Sequence, residues 1–296
     1  RGEPLALSVD ARVQGALESE LYSAMVDQKA KGATGVVLNA NTGEVIAMAA
    51  FPVFDPNKLG GDPNARRNSV VQARYELGST FKPLSIAAAM DAGVVTSMAK
   101  PYDATAPLQV GGYKIKDDHP LGRWLNVPEI LIHSSNIGTA RIADEMGSAQ
   151  MQKVYRSLEF DRRPSIELKE RFPTLWPADW GRITNMTVAY GHGIAVTPIH
   201  LASAYAALVN GGIWRPATLR KLNANEVPQG RRVFSAATSA RMRQLLRLIV
   251  MYGTGKTANA PGYRIGGKTG TAEKPEGGRY AAHANITTFA SAFPMD

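Results

Sequence analysis

Residues 78–83 read Gly78-Ser79-Thr80-Phe81-Lys82-Pro83, and they open the apolar run Leu84-Ser85-Ile86-Ala87-Ala88-Ala89-Met90. The run predicts a buried helix, and residues three apart lie on one face of a helix, so the Lys82 amine can take the proton of the Ser79 hydroxyl. Pro83 has no N–H to donate to the Ser79 carbonyl, so we expect Ser79 in the first helical turn. A nucleophilic serine is one interpretation and a simple N-cap serine is the other, and the hexapeptide alone does not separate them.

The same S-x-x-K spacing recurs at Ser97-Met98-Ala99-Lys100, where Pro101 follows at once. The residue before a proline avoids the helical conformation, so no helix is expected to align Lys100 with Ser97. We therefore expect Ser79 to be the reactive serine and Ser97 to be an ordinary one.

Composition narrows the class of protein. The 296 residues are 44% hydrophobic and 20% charged, which is typical of a globular chain, and the absence of cysteine excludes disulfides, thiolate metal sites and a cysteine nucleophile. The net charge of +9 suits an anionic partner such as a wall polymer, but the basic residues are scattered, so nucleic acid is not an expected partner.

No apolar run approaches the roughly 18 residues of a membrane span. Because the opening Arg1-Gly2-Glu3-Pro4 has no initiator methionine, we expect a fragment of a longer protein.

The order of the predicted elements indicates the architecture. Helices outnumber strands and the strands lie near the two ends, so we expect a sheet built from both ends of the chain with a helical middle. The expected helices cover about 10–31, with Asp10 as N-cap, then 129–133, a further segment that ends at 146, 199–208 and 235–251. The expected strands form a hairpin over 34–49, short strands at 108–110 and 113–115, and a strand over 286–293. A polar loop is expected over 53–75. Residues 159–182 have no clear assignment.

Residues 262–269 satisfy G-x-x-x-x-G-K-[ST], the phosphate-binding loop. That motif requires a helix that starts at the lysine, and the following residues, through Pro275 and the pair Gly277-Gly278, cannot continue one. Nucleotide binding is therefore not expected. As an edge strand, Lys268-Thr269-Gly270-Thr271 offers a cation, two hydroxyls and space for a peptide that ends in a carboxylate. The alternative is a glycine-interrupted edge strand on which Lys268 is merely solvated.

Ser134-Ser135-Asn136 places a hydroxyl and a carboxamide on one turn, where they can relay a proton and hold a substrate amide, although alone it is also typical of an ordinary turn. The order of the motifs is more specific. S-x-x-K, then S-x-N about 55 residues later, then K-T-G about 130 residues further on, resembles the penicillin-binding transpeptidase family over nearly the whole chain. The likeness is greatest to the monofunctional (class B) enzymes of cell division, because elongation-type relatives usually carry Asp at the position of Asn136.

The resemblance implies an α/β fold with a five-stranded antiparallel sheet, helices on both faces and a mainly helical middle. We expect one domain over residues 1–296, with the sheet formed by about 1–60 and 260–296 and the helical part by about 76–255. In the family a last strand lies between the first hairpin and the strands that follow K-T-G. The chain ends at Pro294-Met295-Asp296, before such a strand, so we expect an unfilled place in the sheet. A membrane anchor is also expected to be absent from this chain.

The resemblance also implies a catalytic route. Ser79 would attack the carbonyl of the penultimate D-alanine of a peptidoglycan stem peptide and expel the terminal D-alanine. Lys82 would be the base, which requires a lowered pKa. Ser134 would relay the proton to the leaving group, with Lys268 nearby.

The substrate-binding roles follow from the same resemblance. Asn136 would hold the amide of the stem peptide, and Thr269 and Thr271 would bind its terminal carboxylate, with Gly270 leaving room for the substrate. The backbone N–H groups of Ser79 and Thr271 would form the oxyanion hole. Neither a metal nor a cofactor is implied.

The expected partners are peptidoglycan stem peptides as donor and amine acceptor, and β-lactams that acylate Ser79. In a full-length protein anchored in the cytoplasmic membrane, with this domain in the periplasm, a membrane glycan polymerase and other division proteins would join them. The alternatives are a serine β-lactamase, a D,D-carboxypeptidase or a non-catalytic β-lactam sensor. The lactamases that are most similar in motif order activate water with a glutamate that has asparagine four residues later, and no glutamate of this chain does, including Glu167 and Glu170.

Overall fold

The computed structural model of the chain describes residues 4–58, 62–276 and 279–295. The chain ends (1–3 and 296), residues 59–61 of the predicted loop and the predicted break at Gly277-Gly278 lie outside the described residues. The α-helices of the described part are α1 (Ala11–Asp27), α2 (Ser69–Gln72), α3 (Lys82–Asp91), α4 (Val127–Ile132), α5 (Asn136–Met146), α6 (Ser148–Ser157), α7 (Arg182–Val188), α8 (Pro198–Val209) and α9 (Ala236–Tyr252). Its strands are β1 (Ala33–Leu38), β2 (Val45–Phe51), β3 (Tyr102–Asp103), β4 (Leu108–Val110), β5 (Tyr113–Ile115), β6 (Trp124–Leu125), β7 (Ile213–Trp214), β8 (Arg231–Arg232), β9 (Gly266–Glu276) and β10 (Arg279–Ala292). None of the helices in the described ranges is long and apolar enough to cross a membrane.

Helix α3 lies in the main hydrophobic core, as its apolar sequence predicts. Every residue from Lys82 to Ala89 is buried, and the helix packs against α5, α6, α8 and α9. At its start Phe81 contacts Tyr155 and Phe160, with ring centroids 5.7 and 5.3 Å away. Such tilted and edge-on aromatic contacts stabilise a core beyond the area they bury, so the first turn of α3 is held rigidly.

The sequence predicts Ser79 in the first turn of the α-helix, but in the structure Ser79 lies one turn before that helix. It belongs to a short 3₁₀-helix, Gly78–Phe81. The Ser79 carbonyl accepts from the N–H of Lys82, because the next residue, Pro83, has none to give. Residues three apart eclipse one another in a 3₁₀ turn, so the serine and the lysine still share one side. No side chain caps α3, whose N-cap position is Phe81, so the N-cap interpretation of Ser79 is wrong.

The first hairpin, β1–β2, is antiparallel and covered on both faces. A side chain at Gly35 would meet Leu17 of α1 at 2.8 Å. The next residue, Val36, instead packs on the cluster that contains Val70 of α2 and Ile199 of α8. Because successive residues of a strand point to opposite faces, α1 covers one face of the hairpin, and α2 and α8 cover the other.

The second hairpin, β9–β10, comes from the end of the chain and is also antiparallel. Helix α8 packs against both β1 and β10, and α9 packs against β9. In the described residues, hydrogen bonds join β1 to β2 and β9 to β10 but do not join the two hairpins to each other. The predicted α/β architecture, with antiparallel strands from both ends and a helical middle, is confirmed.

Some boundaries differ from the sequence prediction. Asp10 caps α1 as expected, but the helix ends at Asp27, and Lys29 has a positive φ of 50° that a helix cannot contain. Helices α6 and α7 were not predicted. The α7 sequence is rich in β-branched residues, which have low helix propensity, and it is helical because it buries Asn185 and Met186 while it packs against α5 and α6.

The packing of α9 yields a stability prediction. Leu246 lies on the side of α9 that faces the core and is fully buried, whereas Met251 on the same helix is exposed. We expect Leu246→Ala to lower the free energy of unfolding by about 2–5 kcal/mol, because it leaves a cavity in the core. Met251→Ala should change it by less than about 0.5 kcal/mol. Urea unfolding of both variants measures the difference, and equal values would contradict the placement of α9.

Candidate active site

Two glycines bring the backbone of the serine turn against strand β9. Gly78 has φ +54°, and a side chain there would lie 2.5 Å from the Thr271 carbonyl oxygen. A side chain at Gly270 would lie 2.3 Å from the Leu77 carbonyl oxygen. Only glycine permits so close an approach, so the S-x-x-K turn and the K-T-G strand are in direct backbone contact beside Ser79.

Two buried lysines meet on the hydroxyl of Ser134. Lys82 and Lys268 are both inaccessible to solvent. The Lys82 Nζ donates to the Ser134 carbonyl oxygen and, at 3.1 Å, to the Ser134 Oγ. The Lys268 Nζ donates to the same Oγ at 3.0 Å and to the Thr269 carbonyl oxygen at 2.9 Å. Three motifs that are far apart in sequence are therefore joined at one oxygen atom.

Burial lowers the proton affinity of both amines. The pKa of Lys82 lies well below its ordinary value, mainly because the amine is desolvated and secondly because Lys268 is close. Burial also lowers the pKa of Lys268 to about 7. Two amines beside one hydroxyl cannot easily both be charged, so the surroundings of Lys82 favour the neutral amine, the form that a base requires.

The hydrogen-bond inventory of Ser134 gives a direction for proton movement. A hydroxyl has two acceptor lone pairs and one proton. Both lone pairs receive N–H donors from Lys82 and Lys268, so the Ser134 proton is directed away from the lysines. Among the described residues, the Lys82 amine contacts Ser134 rather than the half-buried Ser79. Catalytic hydrogen bonds are often longer in a ligand-free site, so Ser79 remains a candidate nucleophile.

The predicted binding residues line the same site. The Asn136 Nδ2 donates to the Lys116 carbonyl oxygen at 2.9 Å, and no described residue donates to the amide oxygen, which can therefore accept from a ligand. The Thr269 Oγ1 donates to the Thr254 Oγ1 at 2.5 Å. Thr271 lies on β9 opposite Thr287 and is exposed. The predicted catalytic and binding roles of these residues remain predictions.

Sequence reasoning missed two residues of the site. These are Thr254, whose hydroxyl contacts Thr269, and Asp117. The Asp117 carboxylate accepts from the Ser135 Oγ and from the Ile137 N–H. Neither contact could be read from the sequence, because each crosses from one element to another.

Local structure decides how two ambiguous motifs are interpreted, the phosphate-loop pattern at 262–269 and the second S-x-x-K at Ser97. Residues Gly266–Glu276 form strand β9, so the prediction that no helix follows Thr269 is confirmed and the phosphate-loop interpretation fails. Ser97 lies in a turn where its Oγ accepts from the Ala99 N–H, and Lys100 pairs with Glu145. Among the described residues, no group of three or more histidine or carboxylate side chains is placed to hold a metal ion.

The serine turn lies beside two buried amines that share one hydroxyl and beside a threonine-bearing strand, an arrangement that suits serine acyl transfer. The family model "Penicillin binding protein transpeptidase domain" matches residues 33–296. The chain therefore belongs to the penicillin-binding protein transpeptidase domain family, as the motif order predicted.

Known relatives agree with this assignment. The chain is 42% identical to the "Probable peptidoglycan D,D-transpeptidase FtsI" of Caulobacter vibrioides, over 100% of this chain and 51% of that protein. It is 35% identical to the "Peptidoglycan D,D-transpeptidase FtsI" of Escherichia coli K12, over 92% of this chain and 47% of that protein. The apo structure of the TP domain of Burkholderia pseudomallei penicillin-binding protein 3 superposes with a TM-score of 0.88 at 30% identity, covering 98% of this chain and 84% of that one. The chain spans about half the length of the curated relatives it matches.

The contact between Gly78 and Thr271 is testable. We expect Gly78→Ala to lower the rate at which a penicillin labels Ser79 by about 100-fold, because the new methyl group pushes the serine turn away from β9. The measurement is intact-mass spectrometry over time at fixed penicillin concentration.

Gly93→Ala is the matched control for this variant. Gly93 also has a positive φ, of 73°, but nothing lies within 4 Å of a side chain there. The two variants share the backbone penalty of about 1–2 kcal/mol and differ in the clash. Equal labelling rates in the two variants would contradict the proposed steric role of Gly78.

Proposed function

We propose that this chain is the catalytic domain of a peptidoglycan D,D-transpeptidase that cross-links stem peptides through an ester on Ser79, in synthesis of the septal wall. The observation that carries the proposal is the meeting of Lys82 and Lys268 on the Ser134 Oγ. That arrangement provides a base, a proton relay and a cation at one point beside the serine turn. Membership of the transpeptidase family supports the same function.

In the first step the Ser79 Oγ attacks the carbonyl carbon of the penultimate D-alanine, and its proton passes to the neutral amine of Lys82. The tetrahedral intermediate then collapses, and the bond to the terminal D-alanine breaks. The leaving nitrogen takes the Ser134 proton, which Lys82 replaces. The products are an ester on Ser79 and free D-alanine, and Lys82 is neutral again.

In the second step an amine of a neighbouring stem attacks the ester carbonyl and loses its proton to Lys82. Collapse of this intermediate releases the Ser79 oxygen, which takes that proton back. The amide that forms is the cross-link. The oxyanion of each intermediate would be held by the N–H groups of Ser79 and Thr271, the role in which such donors are worth about 3–4 kcal/mol each.

Strand β9 is suited to hold the donor. Its N–H groups can pair with an extended peptide, and Thr269, Thr271 and Lys268 would meet the terminal carboxylate. The Thr269 hydroxyl donates its proton to Thr254. The proton of the Thr254 hydroxyl is therefore still available to donate to the carboxylate. The amide oxygen of Asn136 would accept from the peptide N–H on the other side.

Structure also bears on hydrolysis as the competing activity. The Glu167 carboxylate accepts from the Thr218 Oγ1 and from the Leu219 N–H, the latter at 3.0 Å. Its hydrogen bonds are therefore to the segment 218–219 and not to the serine turn. Glu170 is exposed. Neither observation favours a water-activating glutamate, and a transferase requires that water be left inactive.

The larger setting belongs to the same proposal. We infer a single domain over residues 1–296 that lies in the periplasm and is attached to the cytoplasmic membrane in a longer protein. There it would act with a membrane glycan polymerase and other division proteins, and β-lactams would inhibit it. The FtsI relatives are named as peptidoglycan D,D-transpeptidases, which supports the substrate class.

Acylation by a penicillin tests the nucleophile. We expect one adduct per chain on the peptide that contains Ser79, none in Ser79→Ala, and an unchanged adduct in Ser97→Ala. Intact-mass spectrometry followed by peptide mapping measures this. An adduct on any peptide without Ser79 would refute the assignment.

The lifetime of the adduct tests the class of enzyme. We expect the ester to persist for minutes to hours, because removal of a water-activating base typically costs about 10²–10⁴ in rate. The measurement is the decay of the acylated mass after excess drug is removed. Recovery of free enzyme within seconds would instead identify the chain as a β-lactamase.

A further inference from the structure

The N-terminus of α5 directly follows Ser134 and is capped twice. The Ser135 Oγ accepts from the N–H of Gly138 at 2.9 Å, as an N-cap residue does. The carboxylate of Asp117 accepts from the N–H of Ile137 at 2.9 Å and from the Ser135 Oγ at 2.8 Å. A residue that is distant in sequence therefore satisfies a second free N–H of the helix.

The neighbouring residue adds a third bond. The Lys116 carbonyl oxygen accepts from the Asn136 Nδ2 at 2.9 Å. Lys116 and Asp117, which follow β5, thus hydrogen-bond to residues 135–137, the N-cap and the first two residues of α5. We call Lys116 and Asp117 the 116–117 clamp.

The clamp acts next to a strained residue. Ser134 has φ +59°, a conformation that residues with a side chain seldom adopt. In this conformation both its carbonyl oxygen and its Oγ face Lys82. A residue in this region stays there only when its surroundings hold it, and the chain is bonded to the clamp at the three residues that follow.

We propose that Asp117 is a positioning residue of the acyl-transfer reaction, which holds Ser134 between the two lysines by capping α5. The inference rests on the proposed function, because it assigns Asp117 a part in that same reaction. In the described part of the chain, Asp117 has no hydrogen bond to Ser79 or to β9. Its negative charge also suits the positive end of the α5 dipole.

The charge of Asp117 gives the proposal a second readout. Lys82 is faced by Lys268 from β9, by Asp117 and Asp118 from the segment after β5, and by His192 from the loop after α7. Both aspartates raise the pKa of Lys82 against the effects of burial and of Lys268. Loss of either carboxylate therefore lowers that pKa further, and the base becomes unprotonated at a lower pH.

The experiment compares Asp117→Ala, Asp117→Asn and the control Asp118→Asn by the rate of penicillin acylation between about pH 5 and pH 9. Asp118 is the adjacent, exposed carboxylate, and no hydrogen bond ties it to α5 in the described residues. The maximal acylation rate tests whether Asp117 positions Ser134. The pH at which the rate falls on the acid side tests whether the Asp117 charge raises the pKa of Lys82.

We expect the maximal rate to fall about 100-fold in Asp117→Ala and about tenfold in Asp117→Asn, whose amide must reverse one of the two bonds. Asp118→Asn should keep the maximal rate within about twofold. The acid limb should move to lower pH in Asp117→Asn and in Asp118→Asn. A residue that only stabilised the fold would leave the acid limb unchanged.

Several outcomes would overturn the inference. Equal maximal rates in Asp117→Asn and Asp118→Asn would do so, even where Asp117→Ala does not fold, and so would an acid limb unchanged in Asp117→Asn. A wild-type chain that a penicillin does not acylate at Ser79 would overturn the proposed function itself. Acylation of wild type and Asp117→Asn at the same rate and with the same pH profile would overturn only the role of Asp117.

Discussion

Two buried amines that share one hydroxyl group determine how the rest of the site is built. Lys82 and Lys268 both donate to the Ser134 Oγ, and neither has access to water. A buried charge without water is costly, so each amine needs acceptors that the protein supplies, and these are the oxygens of Ser134 and Thr269. The site can exist only where a helix, a turn and a strand from three parts of the chain are held together.

The backbone is arranged to permit this meeting. Gly78, Gly191 and Gly270 all lie where a side chain would collide with the backbone of another element. A side chain at Gly191 would lie 2.2 Å from the Gly78 carbonyl oxygen, so the loop after α7 is packed against the serine turn as closely as β9 is. Protein interiors resist small changes in volume, and a site assembled from such contacts is fixed in position before a ligand arrives.

The sequence predicted those parts of the site that are local. S-x-x-K, S-x-N and K-T-G each place their side chains within one turn or strand, and their order indicated that they meet. The contacts of Asp117 with Ser135 and Ile137 depend on how a loop lies on a helix, and no local pattern encodes that. Helix α7 was missed for a similar reason, since its helicity comes from burial against its neighbours rather than from propensity. The position of Ser79 in a 3₁₀ turn follows from Pro83, but the type of turn required the structure.

The same chemistry has a cost in stability that the core must offset. Burial lowers the pKa of Lys268 to about 7 from an ordinary value of 10.5. The unfolded chain therefore binds more protons than the native one between these values, and stability rises with pH across that range and is lowest below it. The lowered pKa therefore means that burial of this amine costs the native state free energy at neutral pH, and native domains are only marginally stable. A helix as fully buried as α3 is the compensation such a site requires.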